Sequence, residues 1–347
     1  MSRVIVALSG GVDSSVAAAL LLEQGYEVIG VTMQLWSADL PYGETAEDSC
    51  CSLAAVEDAR AVANELGIAY YVLNLHESFR ENVVDYFVAE YLQGRTPNPC
   101  IVCNQKLKFN RLLDKVKALE GEFVATGHYV RTEYDSAAGR WLLRKGLTQD
   151  QLGASLFPLG GYTKVEIRKL AVRYGLPVAS KQESQEICFI PDQNYRRFID
   201  EYRPGAAKPG KIVDDEGNIL GEHTGITNFT IGQRKGLGIA TGVPLFVKAI
   251  DPLHNEVVVG PAEAVFTKKL TASKLNWIAF NQPDREIAVE AKIRYAAQPA
   301  PAKLIPSGEE VEVVFDEPQR AVTPGQAVVF YRDDLVLGGG IIERGNE

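Results

Sequence analysis

Residues 9–15, Ser9-Gly10-Gly11-Val12-Asp13-Ser14-Ser15, constrain this chain more than any other stretch. The apolar, β-branched run ahead of them, Val4-Ile5-Val6-Ala7-Leu8, reads as a buried strand. The Ala- and Leu-rich run behind them, Val16 to Gln24, reads as a helix closed by Gly25. Tyr26 to Met33 reads as the next strand, so the chain opens with a βαβ unit of a parallel sheet. Two adjacent glycines let a ligand approach the backbone. The N–H groups that open the helix, its dipole, and the hydroxyls of Ser9, Ser14 and Ser15 together predict a cradle for phosphate or pyrophosphate. The string lacks the Gly-Lys-Ser/Thr of a Walker A loop and the Gly-x-Gly-x-x-Gly of a dinucleotide fingerprint. Asp13 suits either a Mg²⁺ carried by phosphates or a helix cap, and Met33 suits either a nucleotide pocket or the core.

Alternation of β and α continues to about residue 130. Helices are expected over Ala54 to Leu66, Phe79 to Leu92 and Leu107 to Leu119, and strands over Ala69 to Leu75 and Phe123 to Thr126. That pattern implies an α/β domain with a doubly wound parallel sheet. A hairpin is expected over Tyr134 to Arg144, a basic helix over 164–175 and a short helix over Asn194 to Tyr202. Pro204-Gly205 and Pro209-Gly210 mark a linker, which places a domain boundary near residue 205. Beyond it, short apolar runs such as Ile226–Ile231, Leu245–Ile250 and Glu310–Phe315 alternate with Gly, Asp and Asn turns. The expected organisation is a catalytic domain over 1–205, a small mostly-β central domain over 206–273, and a C-terminal β-barrel over 274–347.

No apolar run is long enough for a membrane span, and the first strand begins at once, without a visible signal peptide. Five cysteines are an odd number in a chain too large to need disulfide staples, which favours a cytoplasmic setting and catalytic, redox or metal-binding thiols. The net charge of −9 argues against a nucleic-acid partner, but the bases cluster, as in Lys106, Lys108, Arg111, Lys115 and Lys117. Either a basic face or ordinary solvated helix surfaces would give those clusters.

Three further segments carry chemistry. Gly94-Arg95-Thr96-Pro97-Asn98-Pro99-Cys100-Ile101-Val102-Cys103-Asn104 breaks all periodicity, and its prolines are expected to hold the backbone extended. Its C-x-x-C leads toward a basic helix expected to start near Asn104, where a thiolate would be favoured as a nucleophile, a redox dithiol or a soft ligand. Ser184-Gln185-Glu186-Ile187-Cys188-Phe189-Ile190 holds one cysteine in a loop. With Cys100 and Cys103, Cys188 offers either a disulfide-exchange partner or a third iron–sulfur ligand. Ala125-Thr126-Gly127-His128-Tyr129-Val130 ends a strand at the same sheet edge as the glycine loop. Cys50 and Cys51 are adjacent, poorly placed to chelate one ion, and receive no role.

These segments, with Gly232-Gln233-Arg234-Lys235-Gly236-Leu237-Gly238 and Thr323-Pro324-Gly325-Gln326, occur in an order that closely resembles the bacterial tRNA-specific 2-thiouridylases, the MnmA/TrmU family of the ATP pyrophosphatase superfamily. The resemblance spans nearly the whole chain. It implies ATP-dependent 2-thiolation of the wobble uridine of tRNA: adenylation of the C2 oxygen, then sulfur transfer from a cysteine persulfide, with release of AMP and pyrophosphate. By the same resemblance Cys103 is the nucleophile and Cys188 carries the persulfide. Ala7, Leu8, Ser9, Gly10, Gly11, Val12, Asp13, Ser14, Met33 and Gly127 bind ATP with Mg²⁺. Asn98, Pro99 and Cys100 meet the target base, and His128, Gln149, Asp150, Gln151, Arg294, Tyr295 and Gln326 meet tRNA. A persulfide-donating protein is the implied sulfur source. Several relatives carry Asp where this chain has Cys100, so Cys100, Cys103 and Cys188 could instead hold a [4Fe-4S] cluster. The family often has Lys-Asp-Gln-Ser-Tyr where this chain has Gln149-Asp150-Gln151-Leu152-Gly153, which removes a lysine contact to tRNA. The alternative from another class is an ATP pyrophosphatase that activates a small carbonyl or carboxylate, as an amide or amidine synthetase does.

Overall fold

A computed structural model describes residues 1–36, 53–144, 155–182 and 187–346. The chain divides into two compact units, Met1–Val84 with Pro99–Tyr195, and Asp85–Asn98 with Arg196–Glu347.

The first unit is built on β1 (Arg3–Ala7), whose Val4, Ile5 and Val6 are fully buried. Helix α1 (Val12–Glu23) returns the chain to β2 (Glu27–Gln34), and α2 (Leu53–Glu65) leads to β3 (Ala69–Asn74). After β4 (Phe123–Ala125) come a hairpin of β5 (Arg131–Asp135) and β6 (Arg140–Arg144) and a two-residue strand β7 (Ser155–Leu156). The sheet runs β3-β2-β1-β4-β7, and every pairing in it is parallel, as the doubly wound expectation requires. Strand order reverses between β1 and β4, so the crevice beyond their carboxyl ends is where a ligand is expected. From Val16 to Leu22 helix α1 is apolar on all sides because it is covered twice. Ala18 and Leu21 pack on the sheet, while Val16 and Leu20 pack under a later helix, Lys164–Arg173, through Ile167 and Ala171.

Four local expectations are corrected. Helix α1 begins at Val12 rather than Val16, because Gly11 already holds its N-cap position. The stretch expected as one helix over Phe79 to Leu92 is α3 (His76–Phe79), a π-wound turn Arg80–Val84 and α4 (Asp85–Leu92). The segment expected to be extended through Asn104 instead turns helical at Pro99. It forms α5 (Pro99–Cys103), continues through a π-wound stretch Asn104–Arg111, and ends as α6 (Leu112–Ala118). Proline fits the first helical position, where its missing N–H has no partner to lose. In the second unit, Ile226–Ile231 is not a strand. A 3₁₀ turn over Ile226–Asn228 places Ile226 and Phe229, three apart, on the side that faces one core. The helices Lys164–Arg173 and Tyr195–Tyr202 become α7 and α8.

The second unit holds a four-stranded sheet and a closed barrel. The sheet comprises β8 (Gly210–Val213), β9 (Ile219–His223), β10 (Phe246–Asp251) and β11 (Glu256–Gly260), with Ile212, Val247 and Val257 inside. The barrel comprises β12 (Phe266–Trp277), β13 (Ile287–Lys292), β14 (Ala300–Ser307), β15 (Glu310–Arg320), β16 (Ala327–Arg332) and β17 (Leu335–Asn346). Val311, Val313 and Phe315 alternate inward along β15 and meet Leu270, Leu304 and Phe330, the period of two expected of a strand with one buried face. Among the described residues no helix is long and apolar enough to cross a membrane.

Candidate active site

The crevice beyond β1 and β4 holds a cavity of about 240 Å³. Its walls include Ala7, Leu8, Ser9, Asp13 and Ser14 from the first βα turn and Met33 from β2. Thr126, Gly127 and His128 close the other side. Leu8 is fixed from β2, its N–H bonded to the Val31 carbonyl at 2.8 Å and its carbonyl accepting from Thr32 Oγ1 at 2.8 Å. A larger cavity of about 560 Å³ opens among Arg3, Glu27, Gly67 and Glu120. There Arg3 is already taken by Glu27 and Glu120, so size does not select the site.

Two glycines give the crevice its shape. Gly10 has φ +67°, and a Cβ there would lie 2.3 Å from the Ala55 carbonyl oxygen. A Cβ on Gly127 would lie 2.7 Å from the Ser14 nitrogen, so only glycine lets the end of β4 come against the first turn of α1. Glycine at these places leaves the opening N–H groups of α1 at the edge of the cavity, the arrangement that receives phosphates. The serines split their roles. Ser14 Oγ accepts from the Ser9 N–H at 3.1 Å, lies 3.1 Å from Ser9 Oγ and donates to the Gly11 carbonyl at 3.2 Å, and Ser9 and Ser14 both line the cavity. Ser15 is fully buried and donates to the Gly11 carbonyl at 2.8 Å, so it supplies no ligand hydroxyl, contrary to the sequence expectation. The Val12 side chain belongs to the core, which leaves only its backbone for a ligand.

Asp13 does not cap α1, whose N-cap has no side-chain hydrogen bond. Its carboxylate instead receives Lys164 Nζ at 2.7 and 2.9 Å and the Tyr129 hydroxyl at 2.8 Å. A single carboxylate at the mouth of a phosphate cradle matches how Mg²⁺ is held, by one or two carboxylates plus substrate phosphates. Thr126 Oγ1 lies 2.7 Å from His128 Nδ1. Burial, and then the Lys108 ammonium, push the His128 pKa down to about 4, so its ring is neutral near pH 7. Lys108 also lines the cavity.

The cysteines lie in the same unit as this crevice. Cys100 is exposed on the first turn of α5, Cys103 is buried at its end, and Cys188 is half-buried. The two catalytic candidates share one support. Helix α5 packs on the π turn Arg80–Val84. The Cys188 segment is anchored by Phe189, which stacks on Trp36 at 5.8 Å and meets Phe79 edge-on at 5.6 Å. Among the described residues, no three of His, Cys, Asp and Glu form a group able to hold a metal ion. Cys100, Cys103 and Cys188 therefore do not present a three-thiolate cluster site as they stand.

The remaining candidates lie elsewhere. Asn98 belongs to the second unit and Pro99 to the first. Arg294 is exposed and donates to the Arg320 carbonyl at 3.0 Å, and Tyr295 is 97% exposed. Gln326 donates to the Thr96 carbonyl at 2.7 Å, while the Thr96 N–H donates to the Pro324 carbonyl at 2.8 Å. Gln149, Asp150 and Gln151, and Cys50 and Cys51, lie outside the described residues. Sequence reasoning passed over Arg95, which pairs with Glu90 at 2.7 Å and Glu343 at 2.6 Å within the second unit. It also missed the tie between Lys164 and Asp13. A Thr163/Glu166 capping box marks where α7 starts, but no local signal names a partner 151 residues away.

Residues 2–192 match the family profile described as tRNA methyl transferase HUP domain, 196–261 the tRNA methyl transferase PRC-barrel domain, and 267–342 the aminomethyltransferase beta-barrel domain. The tRNA-specific 2-thiouridylase MnmA of Heliobacterium modesticaldum is 56% identical over 357 residues, covering 98% of this chain and 92% of the relative. That of Clostridium perfringens is 53% identical over 355 residues, covering 98% of each. That of Caldicellulosiruptor saccharolyticus is 52% identical over 356 residues, covering 99% of this chain and 98% of the relative. With a glycine-walled cradle, two supported cysteine segments and near full-length identity above one half, the chain belongs to the tRNA-specific 2-thiouridylase family.

Proposed function

We propose that this chain converts the wobble uridine of tRNA to 2-thiouridine in the cytoplasm, using ATP and the sulfur of a persulfide. The observation that carries the reading is the pairing, in one unit, of a phosphate cradle shaped by Gly10 and Gly127 with the segments of Cys103 and Cys188, both set on the His76–Val84 stretch. ATP binds in the cradle, with its phosphates on the N–H groups of α1 and Asp13 holding Mg²⁺. Bound there, the metal would neutralise phosphate charge.

The uridine must leave its stack to reach this crevice, which costs least in a single-stranded anticodon loop. Asn98, Pro99 and Cys100 receive it, and His128, Gln149 to Gln151, Arg294, Tyr295 and Gln326 contact the tRNA around it. The C2 oxygen attacks the α-phosphorus and pyrophosphate leaves, which turns a poor leaving group into a good one. The terminal sulfur of a Cys188 persulfide then attacks C2, and AMP departs with the oxygen. The Cys103 thiolate attacks the Cys188 sulfur, and the electron pair of the broken S–S bond passes to the sulfur now on the base. A Cys103–Cys188 disulfide remains for an external thiol to reduce, and a donor protein reloads Cys188. The persulfide route is the one the family resemblance supplies, and among the described residues no three-thiolate group stands ready for a cluster.

Cys103→Ser and Cys188→Ser proteins test the reading. Each is expected to bind MgATP as the parent does and to yield no 2-thiouridine, assayed by nucleoside chromatography of tRNA. Full turnover by both variants would sink it, as would pyrophosphate release that ignores whether the added tRNA carries uridine 34.

A further inference from the structure

We infer that Lys164 is a catalytic residue for the pyrophosphate-releasing step: it pairs with Asp13, and with that carboxylate given over to Mg²⁺ it would donate to the leaving pyrophosphate. The inference rests on the ATP reading above. Lys164 Nζ lies 2.7 and 2.9 Å from the two Asp13 oxygens, so it occupies both atoms a cation would need. Asp13 and Ser14 line the cavity, so the ammonium sits at the rim of the phosphate cradle.

The lysine is held so that it can move without being lost. Its backbone opens α7, fixed by the Thr163/Glu166 capping box and by Ile167 and Ala171 packed under α1. Its ammonium also lies 5.9 Å from the Tyr129 ring centre, and the Tyr129 hydroxyl is 2.8 Å from Asp13 Oδ1. With Asp13 engaged by a metal, Nζ would be released, and the Tyr129 ring would keep the ammonium beside the cradle by cation–π attraction. A half-buried lysine–carboxylate pair would thereby be exchanged for two new pairs, metal with carboxylate and ammonium with phosphate.

The step balances without any redox change. The C2 oxygen of the base forms a bond to the α-phosphorus. The bond from that phosphorus to the bridging oxygen breaks, and its electron pair stays on pyrophosphate. Lys164 donates a hydrogen bond to that charge and keeps its proton, the preorganised stabilisation of a developing anion.

Calorimetric titration of the full chain with MgATP, magnesium pyrophosphate and AMP tests the inference, since AMP lacks the phosphates Lys164 would meet. Lys164→Met is expected to weaken MgATP and pyrophosphate at least tenfold, to leave AMP within twofold, and to be partly rescued by Lys164→Arg. Equal losses for ATP and AMP, or no loss for either, would overturn it. Asp13→Asn gives a second reading that does not depend on how Lys164→Met folds. With its carboxylate partner gone, the lysine should bind metal-free pyrophosphate at least threefold more tightly than in the parent, and weaker binding would count against the exchange. A parent protein that binds no MgATP would instead refute the nucleotide reading beneath both.

Discussion

Replacing Gly127 by alanine tests the site at its narrowest point. The added Cβ would lie 2.7 Å from the Ser14 nitrogen, 2.9 Å from the Asp13 carbonyl carbon and 3.0 Å from the Asp13 Cβ. Two of these are backbone atoms of the first turn of α1, which the core holds through Val12 and Val16. The turn cannot give way as a flexible side chain would. Ordinary contact begins at 3.4 Å, so the end of β4 must back away by several tenths of an ångström. Overpacking of this kind costs roughly 1–3 kcal/mol. The displacement also widens the crevice between Gly127 and the N–H groups that receive phosphate. If that whole cost falls on binding, at about 1.4 kcal/mol per decade, MgATP affinity drops roughly 5- to 150-fold. Gly161 is the control, because a Cβ there meets nothing within 4 Å. Calorimetric titration with MgATP and thermal melts of Gly127→Ala and Gly161→Ala are the measurements. Affinity within twofold of the parent for Gly127→Ala would refute the claim that this contact shapes the nucleotide crevice.

Other perturbations act on charge and packing. His128 titrates near 4 when folded, below its ordinary 6.5, so between those values the unfolded chain binds the extra proton and stability rises with pH. His128→Asn should flatten that slope by on the order of 3 kcal/mol, read as denaturation midpoints at pH 4.5 and 7. Burial alone would lower the Arg95 pKa and raise that of Glu343. Hydrogen bonds of the pair, with Ser273 also donating to Glu343, reverse both directions. Arg95→Met strands Glu90 and Glu343 and is expected to cost roughly 2–4 kcal/mol in urea titrations at pH 7. The loss should shrink as pH falls through the depressed Glu343 value and that carboxylate takes a proton. Phe330→Ala empties a fully buried place in the barrel and should cost about 3–5 kcal/mol, while MgATP binding stays unchanged.

What the sequence tells about this protein depends on how far apart the interacting residues are. The first βα turn was legible because its glycines, its apolar runs and its helix stop lie within about thirty residues, and each carries its own signal. The tie of Lys164 to Asp13 was not, because nothing in a helix start says which carboxylate it will meet. Strand β7 has two residues, too few to show a period. The α5 error came from weighing proline as a breaker, when Pro99 opens a helix and so sets an exposed Cys100 about one turn ahead of a buried Cys103. The hardest case is the stretch from His76 to Leu92. A helical period assigns Phe79 and Phe87, eight residues apart, to one apolar stripe and so to one core. The structure sends Phe79 to Trp36 and Phe189 in the first unit and Phe87 to Phe198 and Tyr91 in the second. Between the two rings lies the π turn Arg80–Val84, whose wider winding shifts the phase of everything after it. A single change of winding thus lets consecutive residues support the cysteine segments on one side of it and present Glu90 to Arg95 on the other.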